Sequence, residues 1–107
     1  MTAINFSADE IRTGKMTPEH LKTAVRAVRE DGYVLLNELI DPAIMAVLRD
    51  KMLEDVDAIL ARKDVPFNFN VGNLQQDPPP IMPYLYREVL VNDIVISITR
   101  AMLGAGL

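Results

Sequence analysis

Apolar residues recur at helical spacing in three places, and each stretch is bounded by helix punctuation. Leu21, Ala24, Val25 and Val28 fall at i, i+3, i+4 and i+7, one face of a helix. Ahead of them, Thr17-Pro18-Glu19 supplies an N-cap oxygen, a proline where a missing N–H costs nothing, and an acid at the positive end of the helix dipole. The spacing predicts a helix over about 18–30, with Gly32 placed to end it in the left-handed conformation. Tyr33-Val34-Leu35-Leu36 is then a short apolar, aromatic run, which predicts a strand at 33–37. Asp41-Pro42 repeats the start signature, and Ile44, Val47, Leu48, Met52, Val56, Ile59 and Leu60 form a stripe among charged residues, predicting the longest helix at about 42–62. Tyr84–Val91 predicts a short helix, and Asn92-Asp93 caps a last one at 93–103, with Ile94, Val95, Ile98, Met102 and Leu103 on its apolar face. The residues Gly104-Ala105-Gly106 are read as a C-cap.

Two stretches lack this order. Residues 1–16 show no sustained period and are read as a loosely ordered lead-in to a single unit over 17–107. From Val65 to Pro83, Phe67, Phe69 and Val71 alternate with Asn68 and Asn70, and the run Asp77-Pro78-Pro79-Pro80 follows, so strand or loop gives way to a polyproline-like segment. The fold class is α+β, mainly helical.

Composition narrows the chemistry. The chain has 107 residues, enough for one domain, and is 50% hydrophobic and 24% charged, a globular balance. A net charge of −4 has the wrong sign for a protein that lives on phosphate backbones, so no nucleic-acid partner is expected. There is no cysteine, which removes disulfides, thiolate metal sites and thiol nucleophiles. No continuous apolar run marks a leader or a membrane span, and a cytoplasmic protein is expected.

The search for a reactive centre yields little. His20 is the only histidine, in the first turn of the first predicted helix, and is read as a solvated helix residue because no second histidine or cysteine completes a common metal site. Asp50, Glu54, Asp55 and Asp57 sit among basic neighbours and read as a solvated face. Ser7 and Ser97 lie in no nucleophile-elbow pattern. Met45, Met52, Met82 and Met102 are read as core filling. The polar residues of the irregular stretch, Asn68, Asn70, Asn73, Gln75 and Gln76, with Arg87 beyond it, surround aromatics and prolines as the rim of a pocket does; turn and cap duty accounts for them equally well.

Three segments in order, Glu30-Asp31-Gly32-Tyr33-Val34-Leu35-Leu36, then Leu39-Ile40-Asp41-Pro42 leading to Leu48-Arg49, then Tyr86-Arg87-Glu88-Val89-Leu90-Val91-Asn92, resemble the N-terminal part of the phytanoyl-CoA dioxygenase-like family of Fe(II)/2-oxoglutarate oxygenases. The resemblance covers roughly residues 18–103 and implies the helical portion that precedes a double-stranded β-helix, or jelly-roll, core. In that family the iron is held by a His-x-Asp pair and a distal histidine, with an arginine for the co-substrate. Here His20 is followed by Leu21 and Lys22. No catalytic, metal or co-substrate residue is therefore carried over, and no cofactor is expected in this chain, whereas the full-length family uses Fe(II) and 2-oxoglutarate. The resemblance implies a truncated, inactive oxygenase, linked to fungal secondary metabolism of the alkaloid, ergot-type kind. The alternative is a small helical interaction module that pairs with itself or with a full-length oxygenase. An active enzyme using an unrecognised site is the third reading.

Overall fold

The computed structural model describes residues 1–63 and 76–104, which are mainly helical with two short strands. In order they are β1 (Ala3–Asn5), α1 (Ala8–Thr13), α2 (Pro18–Asp31), β2 (Leu35–Asn37), α3 (Pro42–Leu60), α4 (Arg87–Leu90) and α5 (Asp93–Leu103). The chain divides into two compact units, one of Met1–Asp41 with Arg87–Leu107 and one of Pro42–Tyr86.

In the first unit β1 and β2 pair in parallel, Ala3 opposite Leu35 and Asn5 opposite Asn37, with the side-chain amide of Asn37 donating to Asn5 Oδ1 at 3.0 Å. The parallel direction follows from the connection, since the chain leaves β1, traverses α1 and α2, and returns as β2. Residues 1–16 thus hold a strand and a helix rather than a loose lead-in. Ser7 caps α1, its hydroxyl accepting from the Glu10 N–H at 3.2 Å while Glu10 Oε1 accepts from the Ser7 N–H at 3.1 Å, a reciprocal capping box that closes a helix too short to show a period.

Thr17 caps α2 as expected, accepting from the His20 N–H at 3.2 Å, and Gly32 ends it at φ 85° with its N–H on Val28 O. α2 packs on α5. The core of this unit is Ile4, Ala24, Ile94 and Ile98, with Phe6, Leu21, Leu36 and Met102 among the residues packed around it. Ala24 and Ala27 are the buried positions of α2, while Leu21, Val25 and Val28 are only half-buried. Small side chains let α5 approach along that line, and this shifts the buried face from the predicted stripe. On α5, Val95 and Leu103 are exposed although the apolar spacing included them.

The second unit is α3 and the segment that follows. Of the predicted α3 stripe only Leu48 is fully buried; Ile44, Met52, Val56 and Ile59 are half-buried, and Val47 and Leu60 are exposed. Apolar residues here lie on several sides of the helix, more than one packing face can cover. Met45 and Met82 are exposed, so core filling holds only in part for Met52 and Met102. The predicted helix 84–91 shrinks to one turn at α4, and Tyr84 instead closes a turn, its N–H donating to Ile81 O at 2.9 Å. The alternating stretch Phe67 to Val71 lies outside the described residues.

Candidate functional site

The most organised polar cluster centres on Glu10, which the sequence pattern alone does not single out. Glu10, in α1, is 6% exposed. Its Oε1 accepts from the Ser7 N–H, and its Oε2 accepts from the Thr17 N–H at 3.0 Å and lies 2.8 Å from His20 Nδ1. One carboxylate therefore satisfies the backbone at the N-caps of both α1 and α2. The two backbone N–H donors, Ser7 first and Thr17 next, hold the Glu10 carboxyl well below its ordinary value, from 4.5 to about 2; burial opposes them, and His20 adds to the lowering. Glu10 is thus ionised at neutral pH and can only accept, which puts a hydrogen on His20 Nδ1. His20 is not the solvated residue expected: its side chain is 32% exposed and its ring stands edge-on to Phe6, centroids 5.7 Å apart. The Ser7-x-x-Glu10 spacing is a capping-box signature and was the available signal for half of this cluster.

A histidine whose Nδ1 hydrogen is held by a buried carboxylate has the orientation of a general base. Neither His20 nor Glu10 lines the three clefts described below, and every contact of the Glu10 carboxylate is to its own two helix starts. The pair serves as a clasp between the starts of two helices.

Of the predicted pocket-rim residues, Asn70, Asn73 and Gln75 lie outside the described residues, as does Asn68. Gln76 lies on a cleft of about 460 Å³ bounded by Asp55, Ile59 and Pro78–Pro80 in the second unit. Its side-chain amide donates to the Met52 carbonyl at 2.9 Å, so it ties the proline segment to α3. Arg87 lies in the first unit, on a separate cleft of about 190 Å³, where its guanidinium donates to Val91 O at 3.0 Å and pairs with Asp93 at 3.4 Å. On α3, Lys51 joins Asp55 at 2.8 Å and Glu54 at 3.4 Å and lies 5.8 Å from the Tyr84 ring centre. The hydrogen bond to Asp55, above all, holds its ammonium above the ordinary value.

The third cleft, about 610 Å³, runs along α2 to Ala101 of α5. Pro18, Leu21, Val25 and Ala101 form its apolar surface, and Lys22, Arg26, Arg29 and Glu30 its edge.

Iron does not fit these residues. A two-histidine, one-carboxylate triad needs a second histidine, and the single one is committed to Glu10. Among the described residues no three His, Asp or Glu side chains group as a metal would require. Among them, too, no helix is long and apolar enough to cross a membrane. No protein-family model matches the chain.

Proposed function

We propose that this chain is an N-terminal scaffold of the phytanoyl-CoA dioxygenase-like type, and that these 107 residues by themselves are inactive as an oxygenase. The observation that carries the reading is the succession of α2 closing at Gly32, β2, and α3 opening at Pro42, which is the order of segments on which the resemblance rests. The 107 residues hold one histidine and no His-x-Asp, so no step of iron chemistry is assigned to them. The chain on this reading belongs to the cytoplasm and to a fungal alkaloid, ergot-type pathway. Titration of the purified protein with Fe(II) and 2-oxoglutarate under air tests the inactivity, with succinate as the readout. No succinate and no retained iron are expected; stoichiometric iron with succinate release would overturn it.

A second reading is compatible with the first: the chain acts as a helical interaction module. The apolar cleft along α2, edged by three cations, favours it.

A further inference from the structure

β1 presents a strand edge that nothing among the described residues closes. The Leu35 N–H donates to Thr2 O at 3.1 Å, and Ala3 stands opposite Leu35 in the parallel ladder. This turns the N–H and C=O of Ile4 toward β2 and those of Ala3 and Asn5 away from it. The sheet has two strands, so the far side of β1 has no neighbouring strand. Among the described residues the outward backbone groups of Ala3 and Asn5 make no hydrogen bond, and both residues are exposed. Free edges are ordinarily guarded by charged side chains, by proline or by a covering loop. Residues 1–6 hold neither a charged side chain nor a proline. A ribbon of two strands is also at the lower limit of a stable sheet, which a further strand would relieve.

We infer that this edge pairs with the same edge of a second copy of the chain, β1 against β1, in the antiparallel direction that a twofold axis requires. The free groups select the register. With Ile4 opposite Ile4 of the second copy, Ala3 of each faces Asn5 of the other, and each such pair exchanges both N–H···O=C bonds. Every outward group of Ala3 and Asn5 is then satisfied in both copies. Moving the axis to Asn5 would set Ala3 against Ser7, whose N–H is already held by Glu10 Oε1 at 3.1 Å. Moving it to Ala3 would set Ile4 against Thr2 and lose the central isoleucine pair. An unrelated extended peptide fits this edge less well, because strand addition takes its specificity from pockets for alternate side chains. None of the three clefts is lined by Ala3, Asn5 or Leu35, so what the edge offers is its own self-complementary backbone. The edge shares no residue with the α2 cleft. Pairing through residues 2–6 is small beside the ~1,200–2,000 Å² of stable complexes, so the dimer forms at high concentration and reverses on dilution.

The test follows amide hydrogen exchange by NMR on the full chain at about 20 μM and about 1 mM, with sedimentation equilibrium over the same range. The Ala3 and Asn5 amides should exchange about tenfold or more slowly as the dimer forms, while the Ile4 amide, which faces β2 within its own copy, should not change. Ala3→Pro removes an outward N–H that β2 does not use, at an edge position where proline is tolerated. It should weaken the dimer about tenfold or more and leave the circular dichroism unchanged. Ala3→Lys keeps every N–H but sets like charges diagonally across the axis; it should weaken the dimer as well, and the loss should shrink in ~0.5 M salt. A chain that stays monomeric at about 1 mM would overturn the pairing, as would a dimer whose Ala3 and Asn5 amides stay unprotected. A dimer that both variants leave intact would overturn it too. None of these outcomes bears on the oxygenase-scaffold reading, which succinate release tests separately.

Discussion

Replacing Ile94 by alanine removes the side chain on which the first unit closes. Ile94 is 2% exposed and clusters with Ile4 of β1, Ala24 of α2 and Ile98 of α5. The substitution deletes three carbons, and at about 0.8 kcal/mol per buried CH₂ the transfer cost alone is about 2.4 kcal/mol. The cavity left behind raises this to about 3–4 kcal/mol, within the range of ~2–5 kcal/mol for such truncations. Domains of this size are stable by about 5–15 kcal/mol, and each kcal/mol moves the melting temperature by about 4–8 °C. Thermal melts followed by far-ultraviolet circular dichroism should therefore fall by roughly 12–30 °C. The control is the neighbouring Val95→Ala, on the same helix and 43% exposed, which should move the melt by about 4 °C or less. Equal small shifts in the two variants would refute the reasoning, because Ile94 would then not be the residue that joins strand and helices.

Three further perturbations address other parts of the account. Glu10→Gln tests the clasp: the folded carboxyl is lowered from 4.5 to about 2, so its stabilisation is complete above 4.5 and lost as pH falls toward 2. The parent's melting temperature should drop across that window, whereas the variant should start lower at neutral pH and fall less; parallel profiles would contradict the assignment. Gly14→Ala meets both a left-handed φ of 70° and a Cβ 2.9 Å from Asp93 Cβ, while Gly32→Ala, at φ 85°, has nothing within 4 Å. Urea midpoints should drop in both by the conformational cost of about 1–2 kcal/mol, and further for Gly14. Leu48→Ala, at the one fully buried position of α3, should cost ~2–5 kcal/mol in the same assay, while Glu54→Ala leaves the midpoint within error.

The elements legible in the sequence are those whose ends carry their own chemistry. Thr17-Pro18 and Asn92 mark α2 and α5 because their side-chain oxygens accept the first free N–H groups, as the hydrogen bonds to His20, Ile94 and Val95 bear out. Gly32 marks the end of α2 because that position needs a left-handed φ. Alternation and periodicity failed where an element is too short to have a period, as in β1 and α1. The pairing of Glu10 with His20 was illegible for a different reason: it joins two helices across the Gly14–Met16 connection, and nothing in either helix alone specifies the angle between them. The burial of Ala24 and Ala27 in preference to Leu21 and Val25 likewise depends on how closely α5 lies. At the predicted pocket rim, composition showed polar groups near prolines, but it could not show that the Gln76 amide is taken up by a helix carbonyl.

The central claim is that residues 18–103 are an oxygenase scaffold, and a segment exchange tests it most directly. The corresponding N-terminal segment of an active phytanoyl-CoA dioxygenase-like enzyme would be replaced by residues 18–103 of this chain, and 2-oxoglutarate-dependent succinate release measured with Fe(II) present. The account predicts a soluble chimera that retains iron and releases succinate, the iron ligands coming wholly from the host. A chimera that neither folds around its own β core nor retains iron, while the host with its native segment does both, would contradict it.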